Sequence, residues 1–462
     1  MLRNRIKQIL ASARDGQQVT IRGWVKSKRS SKTFSFVMLN DGSMLNDLQI
    51  LIDHAAPAAA LLEQCTTGAC LEANGVIKAS PGKGQEWEVH CDAMKILGAC
   101  DPEKYPLQKK GHTLEFLREI GHLRSRSNTF GAVFRVRNQL ASLVHEFFQS
   151  HGFIWAHTPI ITASDCEGAG EMFTVTTLDL GKLPRTPSGA IDHTQDFFGK
   201  HAHLTVSGQL NGECMALGLG DIYTFGPTFR AENSNTTRHL SEFWMIEPEM
   251  AFADLREDMV VAEEFLRFVF GNIVQRCQAD LEFMIKHYQG TTIDELVRMS
   301  QEPFGRISYT DAVAELKRAT VKFEFPVEWG IDLQSEHERY LTDQVFKRPL
   351  IVTDYPKDIK AFYMRQNADG RTVAAMDILA PRIGEIVGGS QREDRIDVLE
   401  QRIQEMKLPA KDLWWYLDLR RFGSAPHSGF GLGFERLVQY VTGMSNIRDV
   451  IPFPRAPQTI EF

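Results

Sequence analysis

Residues Phe229–Glu249 read FRAENSNTTRHLSEFWMIEPE, a polar loop between two segments of alternating character. The pattern predicts two antiparallel strands joined by a loop, because strand residues two positions apart share a face. Arg230 and Glu232 would share one face, and Phe243, Glu247 and Glu249 another. A guanidinium binds phosphate or carboxylate through two hydrogen bonds, and an aromatic ring stacks on a purine. We therefore predict a nucleotide-binding surface here, with a ladder of surface ion pairs as the alternative.

A second stretch, Gly429–Gly433, is a strand with three glycines and leads into Phe434, Glu435 and Arg436. Small residues in a strand allow another backbone or a ligand to approach closely. Arg436 would lie at the start of a helix, where the helix dipole also favours anions. The stretch indicates an anion site, although a single arginine there could equally be a surface charge.

These stretches belong to a long region, residues 129–462, that mixes strands with amphipathic helices. The apolar spacing predicts helices at Gly131–Ser150, Leu255–Cys277 and Ser390–Met406. Strands and helices do not alternate regularly, which favours an α+β fold with a mostly antiparallel sheet flanked by helices. Within this region the polar residues 181–203, which contain proline and glycine, indicate a surface loop.

Residues 1–100 predict five short strands with turn signals between them and one helical piece at Pro57–Gln64. Such a domain suits a small closed β-barrel, the OB-fold, whose sheet face binds oligonucleotides. The polar residues 101–128 predict a hinge or linker. We therefore expect a barrel domain at 1–100, a hinge at 101–128 and a larger domain at 129–462.

The charge of the chain is unevenly distributed. Its 462 residues are 43% hydrophobic and 24% charged, with a net charge of −7, which is ordinary globular composition and excludes disorder, collagen and coiled coil. Residues 1–36 carry nine basic side chains against Asp15 alone, so this end is +8 and the rest is −15. The asymmetry indicates a polyanionic partner for the N-terminal end, or a solvated basic face without a partner.

Several other classes of protein are excluded by missing patterns. The chain has no GxxxxGK[ST] motif and no GxGxxG motif between a strand and a helix. It has no apolar run of about 20 residues and no signal-peptide core, so we expect a soluble, cytoplasmic protein without a membrane partner. The seven cysteines form no CxxC pair, which favours free thiols.

Together these stretches resemble the class II aminoacyl-tRNA synthetases, in the subclass of aspartyl, asparaginyl and lysyl enzymes. Phe153–Ile161 (FIWAHTPII) resembles motif 1, Phe229–Glu249 motif 2 and Gly429–Arg436 motif 3. The resemblance covers essentially the whole chain, since this subclass also has an N-terminal OB anticodon-binding domain. It implies a homodimer through the motif 1 region.

The resemblance implies a two-step reaction, in which ATP activates an amino acid and the tRNA then accepts the acyl group. Arg230 and Arg436 would be the catalytic arginines, contacting the α- and γ-phosphates respectively. Asp377 and Glu385 resemble the carboxylates that hold Mg²⁺, which prefers hard oxygen ligands. The remaining ATP-binding residues implied by the resemblance are Glu232, Arg238, His239 and Phe243, together with Glu385.

The amino acid implied by the resemblance is L-asparagine. The chain has Gly212 where aspartyl relatives have a lysine, and Glu247 where they have an aspartate. Without the cation, a site that offers a carboxylate suits an amide and repels a second carboxylate, and such a site can reject the wrong substrate by roughly 10⁴-fold. The implied asparagine-binding residues are Glu167, Ser207, Gln209, Glu247 and Arg392.

The implied nucleic-acid partner is tRNA(Asn). Phe36 lies where the subclass stacks the central anticodon base, and Gln49 where it hydrogen-bonds that base. A barrel-core position is the alternative for Phe36. Two alternatives remain for the whole chain: a non-discriminating aspartyl enzyme, and a synthetase-derived paralogue without the tRNA step.

Overall fold

The structure is a computed structural model and describes residues 4–82, 84–164, 172–234 and 236–462. The chain divides into two compact units, Met1–Arg135 with Phe462, and Val136–Glu461. Among the described residues, no helix is long and apolar enough to cross a membrane.

The first unit contains a closed five-stranded barrel, which confirms the predicted N-terminal β-barrel. Its strands follow one another around the barrel in the order β1-β2-β3-β5-β4. Inward residues such as Val37 and Leu39 are fully buried and alternate with half-buried residues on the outer face. The elements of the barrel are α1 (Ile6–Ala11), β1 (Gln18–Ser30), β2 (Phe34–Asn40), β3 (Leu48–Asp53), β4 (Cys70–Ala79) and β5 (Trp87–Gly98).

The short helical piece of the barrel, Pro57–Gln64, is a 3₁₀ helix. Its ends close through hydrogen bonds between residues three apart, from Ala59 N–H to the Ala56 carbonyl and from Cys65 N–H to the Leu62 carbonyl. Such tight helices occur as short connectors.

Three helices follow the barrel, and the third runs on from the first unit into the second. They are α2 (Leu114–Glu119), α3 (Gly121–Arg124) and α4 (Asn128–Ser150). Helix α4 begins three residues before the predicted Gly131. Its apolar face, including Val136, Leu140 and Phe147, is buried as the spacing predicted.

The second unit is built on an eight-stranded sheet in the order β12-β13-β14-β15-β16-β11-β10-β6. Only β12 with β13 and β10 with β6 pair in parallel, which confirms the prediction of a mostly antiparallel sheet. A small sheet, β7-β9-β8, lies in the same unit. The strands are β6 (Ile154–Trp155), β7 (Ile161–Thr162), β8 (Thr174–Val175), β9 (Ala202–Leu204), β10 (Asp221–Phe229), β11 (Glu242–Ala251), β12 (Gly305–Ser308), β13 (Leu350–Pro356), β14 (Thr372–Ala380), β15 (Gly384–Gln391) and β16 (His427–Gly433).

Helices flank this sheet, as the α+β prediction requires. They are α5 (Gln209–Leu219), α6 (Leu255–His287), α7 (Ile293–Gln301), α8 (Tyr309–Lys317), α9 (Ser335–Tyr340), α10 (Ile396–Glu405), α11 (Trp414–Arg421) and α12 (Phe434–Thr442), with a π-helical turn at Leu341–Phe346. Short 3₁₀ turns cover His193–Gln195, Lys357–Ile359, Ala410–Asp412 and Ile447–Asp449.

Two predicted helix boundaries differ from the structure. Helix α6 does not end at Cys277 but continues to His287 across a non-helical residue there, because apolar residues beyond it, such as Leu281 and Met284, are also buried. The predicted helix Ser390–Met406 is wrong at its start. Ser390 belongs to β15 and pairs with Gly429, and α10 begins only at Ile396, because sheet pairing overrides the local apolar spacing.

Candidate active site

The stretch Phe229–Glu249 forms a hairpin, but the prediction for its first strand is wrong: β10 ends at Phe229, so Arg230 and Glu232 lie in the loop and not on one strand face. Strands β10 and β11 pair antiparallel with Phe229 opposite Glu242, and the Arg230 N–H donates to the Ser241 carbonyl at 3.0 Å. This bond closes the hairpin directly before the loop. The Arg230 guanidinium lies 5.4 Å from the centre of the Phe243 ring. The predicted arginine and aromatic ring are therefore together.

One cavity is lined by the residues that the sequence analysis predicted to bind a nucleotide. It is lined by the predicted set Arg230, Glu232, Arg238, His239, Phe243, Glu385 and Arg436. Burial lowers the pKa of His239, and the positive charge of Arg436 lowers it further. Burial likewise lowers the pKa of Arg238, with the charges of Arg339 and Arg436 acting in the same direction. The cavity wall therefore carries three arginines, Arg230, Arg238 and Arg436, whose guanidinium groups can bind a polyphosphate.

Helix α12 carries Arg436 in its first turn and is held to the sheet by Glu435. The Glu435 carboxylate accepts from the Trp244 N–H at 2.8 Å and from Arg137 Nη2 at 2.7 Å. Arg436 donates to the Glu385 carbonyl at 3.0 Å. The arginine is thereby fixed over the nucleotide cavity.

The glycines before α12 allow the close approach that the sequence predicted. A Cβ at Gly429 would lie 2.4 Å from the Pro248 carbonyl oxygen and 2.6 Å from the Glu249 carboxylate. Only a glycine lets β16 lie this close to β11. Gly431 lines both the nucleotide cavity and the neighbouring one.

The neighbouring cavity is lined by residues that the sequence analysis predicted to bind the amino acid and the metal ion. Its lining includes the predicted residues Ser207, Gln209, Arg230, Glu247, Asp377, Glu385 and Arg392. Arg230 and Glu385 also line the nucleotide cavity, so the two cavities share a wall. A group bound in one cavity can therefore reach a group bound in the other.

Glu247 is buried at the floor of the second cavity and is held by three donors. Thr224 Oγ1 donates to its Oε2 at 2.8 Å and the Gly208 N–H to the same oxygen at 3.0 Å. Ser207 Oγ donates to Oε1. A carboxylate offers about four acceptor positions, so one position on Oε1 remains for an N–H of a ligand.

Arg392 is also buried, and its guanidinium is held by Glu249 and Ser390. Its Nε donates to Glu249 Oε2 at 3.1 Å, its Nη2 to Glu249 Oε1, and its Nη1 to Ser390 Oγ at 2.9 Å. Of the five N–H groups of an arginine, these contacts use three. The other two are available to an oxygen acceptor in the cavity.

Gly212 lies on α5 behind the same cavity. A Cβ there would lie 3.4 Å from Ile222 Cδ1 and 3.6 Å from Glu249 Cγ, which is ordinary van der Waals contact. The backbone therefore does not require glycine. A lysine at this position would extend beside Glu249 and bring a cation to the charged residues of the cavity.

Asp377 and Glu385 converge on Gly388. A Cβ at Gly388 would lie 3.5 Å from Asp377 Oδ1 and 3.5 Å from Glu385 Oε1, so a side chain there would intrude between the two carboxylates. Two hard oxygen donors beside the predicted phosphate site fit Mg²⁺, which takes its other ligands from water and phosphate. In the part of the chain that the structure describes, no group of three or more His, Cys, Asp or Glu could hold a metal alone.

Sequence reasoning missed the partners of these residues. Lys360 Nζ lies 2.8 Å from Asp377 Oδ2, and Glu249 holds Arg392. Strand alternation had placed Glu249 on the face of Glu247 without giving it a role, and no local signal marks Lys360. Glu167, one of the predicted asparagine-binding residues, lies outside the described residues.

Phe36 and Gln49 lie on the outer face of the barrel. Phe36 is half-buried and alternates with the buried residues Ser35 and Val37, so it is not a core residue. Its ring contacts that of Phe34, with the ring centres 5.0 Å apart. Gln49 pairs with Met38 on the adjacent strand and donates to Glu88 at 2.9 Å. The two predicted residues therefore share one accessible surface.

Comparisons with known proteins agree with this geometry. A family model for class II tRNA synthetases of the D, K and N group matches residues 114–457, and one for an OB-fold nucleic-acid-binding domain matches residues 19–97. The asparagine–tRNA ligase of Picosynechococcus sp. is 61% identical over 99% of this chain and 100% of its own length. That of Protochlamydia amoebophila is 59% identical over 97% of this chain and 96% of its own.

Solved structures are similar over nearly the whole chain. An asparaginyl-tRNA synthetase from Pyrococcus horikoshii complexed with asparaginyl-adenylate superposes with a TM-score of 0.84 and 34% identity, covering 96% of each chain. An Entamoeba histolytica asparaginyl-tRNA synthetase with the same adenylate gives a TM-score of 0.83 and 26% identity over 98% of each chain. The two alternative functions are not favoured. The chain therefore belongs to the class II aminoacyl-tRNA synthetases of the aspartyl, lysyl and asparaginyl group, and within them to the asparagine–tRNA ligases.

Proposed function

We propose that the two joined cavities carry out the ATP-dependent ligation of L-asparagine to tRNA(Asn) through an asparaginyl-adenylate, with release of pyrophosphate and AMP. The observation that supports this most is the shared wall of Arg230 and Glu385 between a cavity lined by three arginines and a cavity suited to an amide. In the first step the asparagine carboxylate attacks the α-phosphate of ATP and pyrophosphate leaves. Catalysis then needs mainly positioning and neutralisation of charge.

In this proposal the first cavity holds ATP. Arg230 and Arg436 are the catalytic residues: Arg230 binds the α-phosphate together with the substrate carboxylate, and Arg436 covers the adenine and reaches the γ-phosphate. Phe243 stacks on the other face of the adenine, and Glu232 accepts from its amino group. Arg238 and His239 bind the γ-phosphate. The position of Arg238 and His239 on the wall of the first cavity, beside Arg436, supports this assignment.

The second cavity holds asparagine. The side-chain carbonyl oxygen accepts from the two remaining N–H groups of Arg392, and the side-chain NH₂ donates to the remaining position on Glu247. Ser207, Gln209 and Glu167 bind the ammonium group, although Glu167 lies outside the described residues. An aspartate would present a carboxylate to Glu247, where a donor is needed, and would meet no lysine at Gly212.

Asp377 and Glu385 would hold Mg²⁺ with the phosphates of ATP. Bound there, the ion supplies positive charge that offsets the charge of the phosphates. Lys360 holds one oxygen of Asp377, which leaves Oδ1 directed towards Gly388 and Glu385.

In the second step a terminal ribose hydroxyl of tRNA(Asn) takes the acyl group and AMP leaves. The barrel reads the anticodon, with Phe36 stacking on a base and Gln49 hydrogen-bonding it. The basic residues of the N-terminal end attract the RNA backbone. The proposal keeps the domain bounds predicted from the sequence, which are a barrel at 1–100, a hinge at 101–128 and a catalytic domain at 129–462.

We also propose a homodimer through the motif 1 region, in the cytoplasm where translation uses the product. Large apolar side chains of this region are exposed, with Trp155 at 56% and Ile154 at 44%. A second copy of the chain would bury them.

The proposal is tested by pyrophosphate exchange measured across the twenty amino acids with purified protein, ATP and Mg²⁺. Exchange is expected with asparagine and not with aspartate. Equal exchange with both would contradict the assigned amide selectivity. The charging of tRNA(Asn) with labelled asparagine then tests the second step.

A further inference from the structure

The buried carboxylate of Glu213 lies on α5, one helical turn after Gln209, behind the asparagine cavity. Its side chain is fully buried, yet it is not among the cavity-lining residues. Four neighbours donate to it or face it at hydrogen-bond distance. These are Gln209 Nε2 at 3.1 Å, Tyr416 OH at 2.8 and 2.9 Å, Arg420 Nη2 at 2.9 Å and His427 Nε2 at 2.9 Å.

The contact with Gln209 sets the direction of a binding group. A carboxylate only accepts hydrogen bonds, so Gln209 must turn its NH₂ group towards Glu213. The carbonyl oxygen of Gln209 is then left for the cavity. A carbonyl oxygen accepts from the ammonium group of an amino acid, whereas an NH₂ group would oppose it.

The Glu213 carboxylate also lies close to Arg392, at the other end of the cavity. Glu213 Oε1 lies 3.9 Å from Arg392 Nε, so two carboxylates, Glu213 and Glu249, flank this guanidinium. Burial by itself would raise the pKa of Glu213, but the charge of Arg420 and the hydrogen bond from His427 lower it, so the group is ionised. Its negative charge reduces the positive field that Arg392 presents to a substrate.

We infer that Glu213 is a positioning residue for asparagine recognition: it orients Gln209 towards the ammonium group and weakens the attraction of Arg392 for a substrate carboxylate, so that aspartate is disfavoured. This inference rests on the proposed contacts of Gln209 and Arg392 with asparagine. It adds a second reason for the rejection of aspartate, which acts through charge rather than through the acceptor on Glu247.

Glu213→Gln tests the inference by pyrophosphate exchange with asparagine and with aspartate. The KM for asparagine is expected to rise, because a glutamine can accept or donate and no longer forces the orientation of Gln209. The ratio of kcat/KM for aspartate to that for asparagine is expected to rise at least about tenfold, because Arg420 and Arg392 lose a buried counter-charge. The KM for ATP should not change. A wild-type KM and ratio for both amino acids would overturn the inference.

Two further variants at this cluster separate charge from hydrogen bonding. Glu213→Asp keeps the charge on a shorter side chain. The ratio of kcat/KM for aspartate to that for asparagine should therefore stay at the wild-type value, while the KM for asparagine rises. Tyr416→Phe removes one hydrogen bond to Glu213 and should do the same. If Glu213→Gln does not fold, these two variants decide: an unchanged KM in both overturns the inference.

The matched control is Glu263→Gln, which removes another nearly buried glutamate that pairs with Arg306 away from the cavities. It should change neither the KM nor the ratio, and a ratio change as large as that of Glu213→Gln would overturn the inference. Arg392→Gln tests the proposed site itself. If that variant kept the wild-type KM for asparagine, the proposed asparagine site would fail independently of Glu213.

Discussion

In the proposed asparagine site, Glu247 and Arg392 divide the recognition of the amide between one acceptor and two donors. Each residue has most of its hydrogen-bonding capacity used by the protein: Glu247 by Ser207, Gly208 and Thr224, and Arg392 by Glu249 and Ser390. The free acceptor position on Glu247 matches an NH₂ group, and the two free N–H groups of Arg392 match a carbonyl oxygen. The proposed selectivity for asparagine therefore depends on the protein contacts that occupy the other donor and acceptor positions.

Glu247→Gln should reduce kcat/KM for asparagine by about 10- to 100-fold, since a glutamine would turn its NH₂ group either to the protein donors or to the substrate amide, and both placements lose hydrogen bonds. Pyrophosphate exchange measures this. Glu315→Gln, on the surface of α8, is the control and should exchange at the wild-type rate. A wild-type rate for Glu247→Gln would remove Glu247 from the asparagine site.

Arg436→Ala should abolish exchange, with a loss of at least about 100-fold, because a positive charge beside the transferring phosphates is removed. The binding of tRNA, measured by filter retention, should remain nearly unchanged. Exchange at the wild-type rate would show that Arg436 does not act on ATP.

At the scale of elements, Asp196 links the two ends of the region between β8 and β9. Asp196 accepts from Thr176 Oγ1 at 2.6 Å, from Thr177 N–H at 2.9 Å and from Phe197 N–H at 2.8 Å. The sequence predicted only a polar surface loop at 181–203. The structure adds that this loop has a defined anchor near its two ends.

Asp196→Ala should loosen this loop, so that trypsin cuts at Lys182 and Lys200 faster than in the wild type. The side-chain hydrogen bond from Thr176 and the backbone hydrogen bonds from Thr177 and Phe197 lower the pKa of Asp196 below its ordinary 3.8. The anchoring contribution is therefore fully present above about pH 4 and is lost as the pH falls through the lowered value. Equal cleavage of the two proteins at neutral pH would contradict the anchor.

The exposed motif 1 strand is the second element with a testable role. Trp155→Asp places a charge in the proposed dimer interface and should raise the dimer dissociation constant at least about tenfold. Sedimentation velocity over a range of concentrations measures it. Val321→Asp, an exposed apolar residue on another surface, is the control. A monomeric wild-type protein would contradict the interface.

At the scale of the whole molecule, the barrel and the catalytic unit should contribute separable activities. Phe36→Ala should lower kcat/KM for charging tRNA(Asn) by about 5- to 150-fold, because stacking of a base is worth about 1–3 kcal/mol. Pyrophosphate exchange without tRNA should be unchanged. Met38→Ala, on the same face of the barrel, is the comparison variant. Loss of exchange in Phe36→Ala would show that the two activities are not separable.

The charge of the molecule follows the same division. The positive N-terminal 36 residues belong to the barrel unit, and the acidic remainder contains the carboxylates of the cavities. The net charge of −7 alone would argue against an RNA partner. The distribution agrees with an enzyme that attracts tRNA at one end and handles a small neutral substrate at the other.

Local patterns in the sequence were sufficient to predict the strand of Phe243 and the five-stranded barrel, because period-two alternation is a property of neighbouring residues. They did not predict that β10 ends before Arg230, and the role of Phe36 came from the family resemblance, with a barrel-core position as the alternative. Helix boundaries were less predictable. Ser390 lies in a strand and α6 continues past Cys277, since strand pairing and burial by distant elements outweigh local propensity.

Only the tertiary structure shows which side chains form hydrogen bonds with the site residues that the sequence predicted. Tyr416 and His427 meet Glu213 from 203 and 214 residues away, and Glu249 meets Arg392 from 143 residues away. Composition, motifs and the order of the motifs were sufficient to predict the family and to name most of the residues that line the cavities. The direction in which Gln209, Glu247 and Arg392 present their free donors and acceptors depends on contacts across the sheet, and such contacts exist only once the chain has folded.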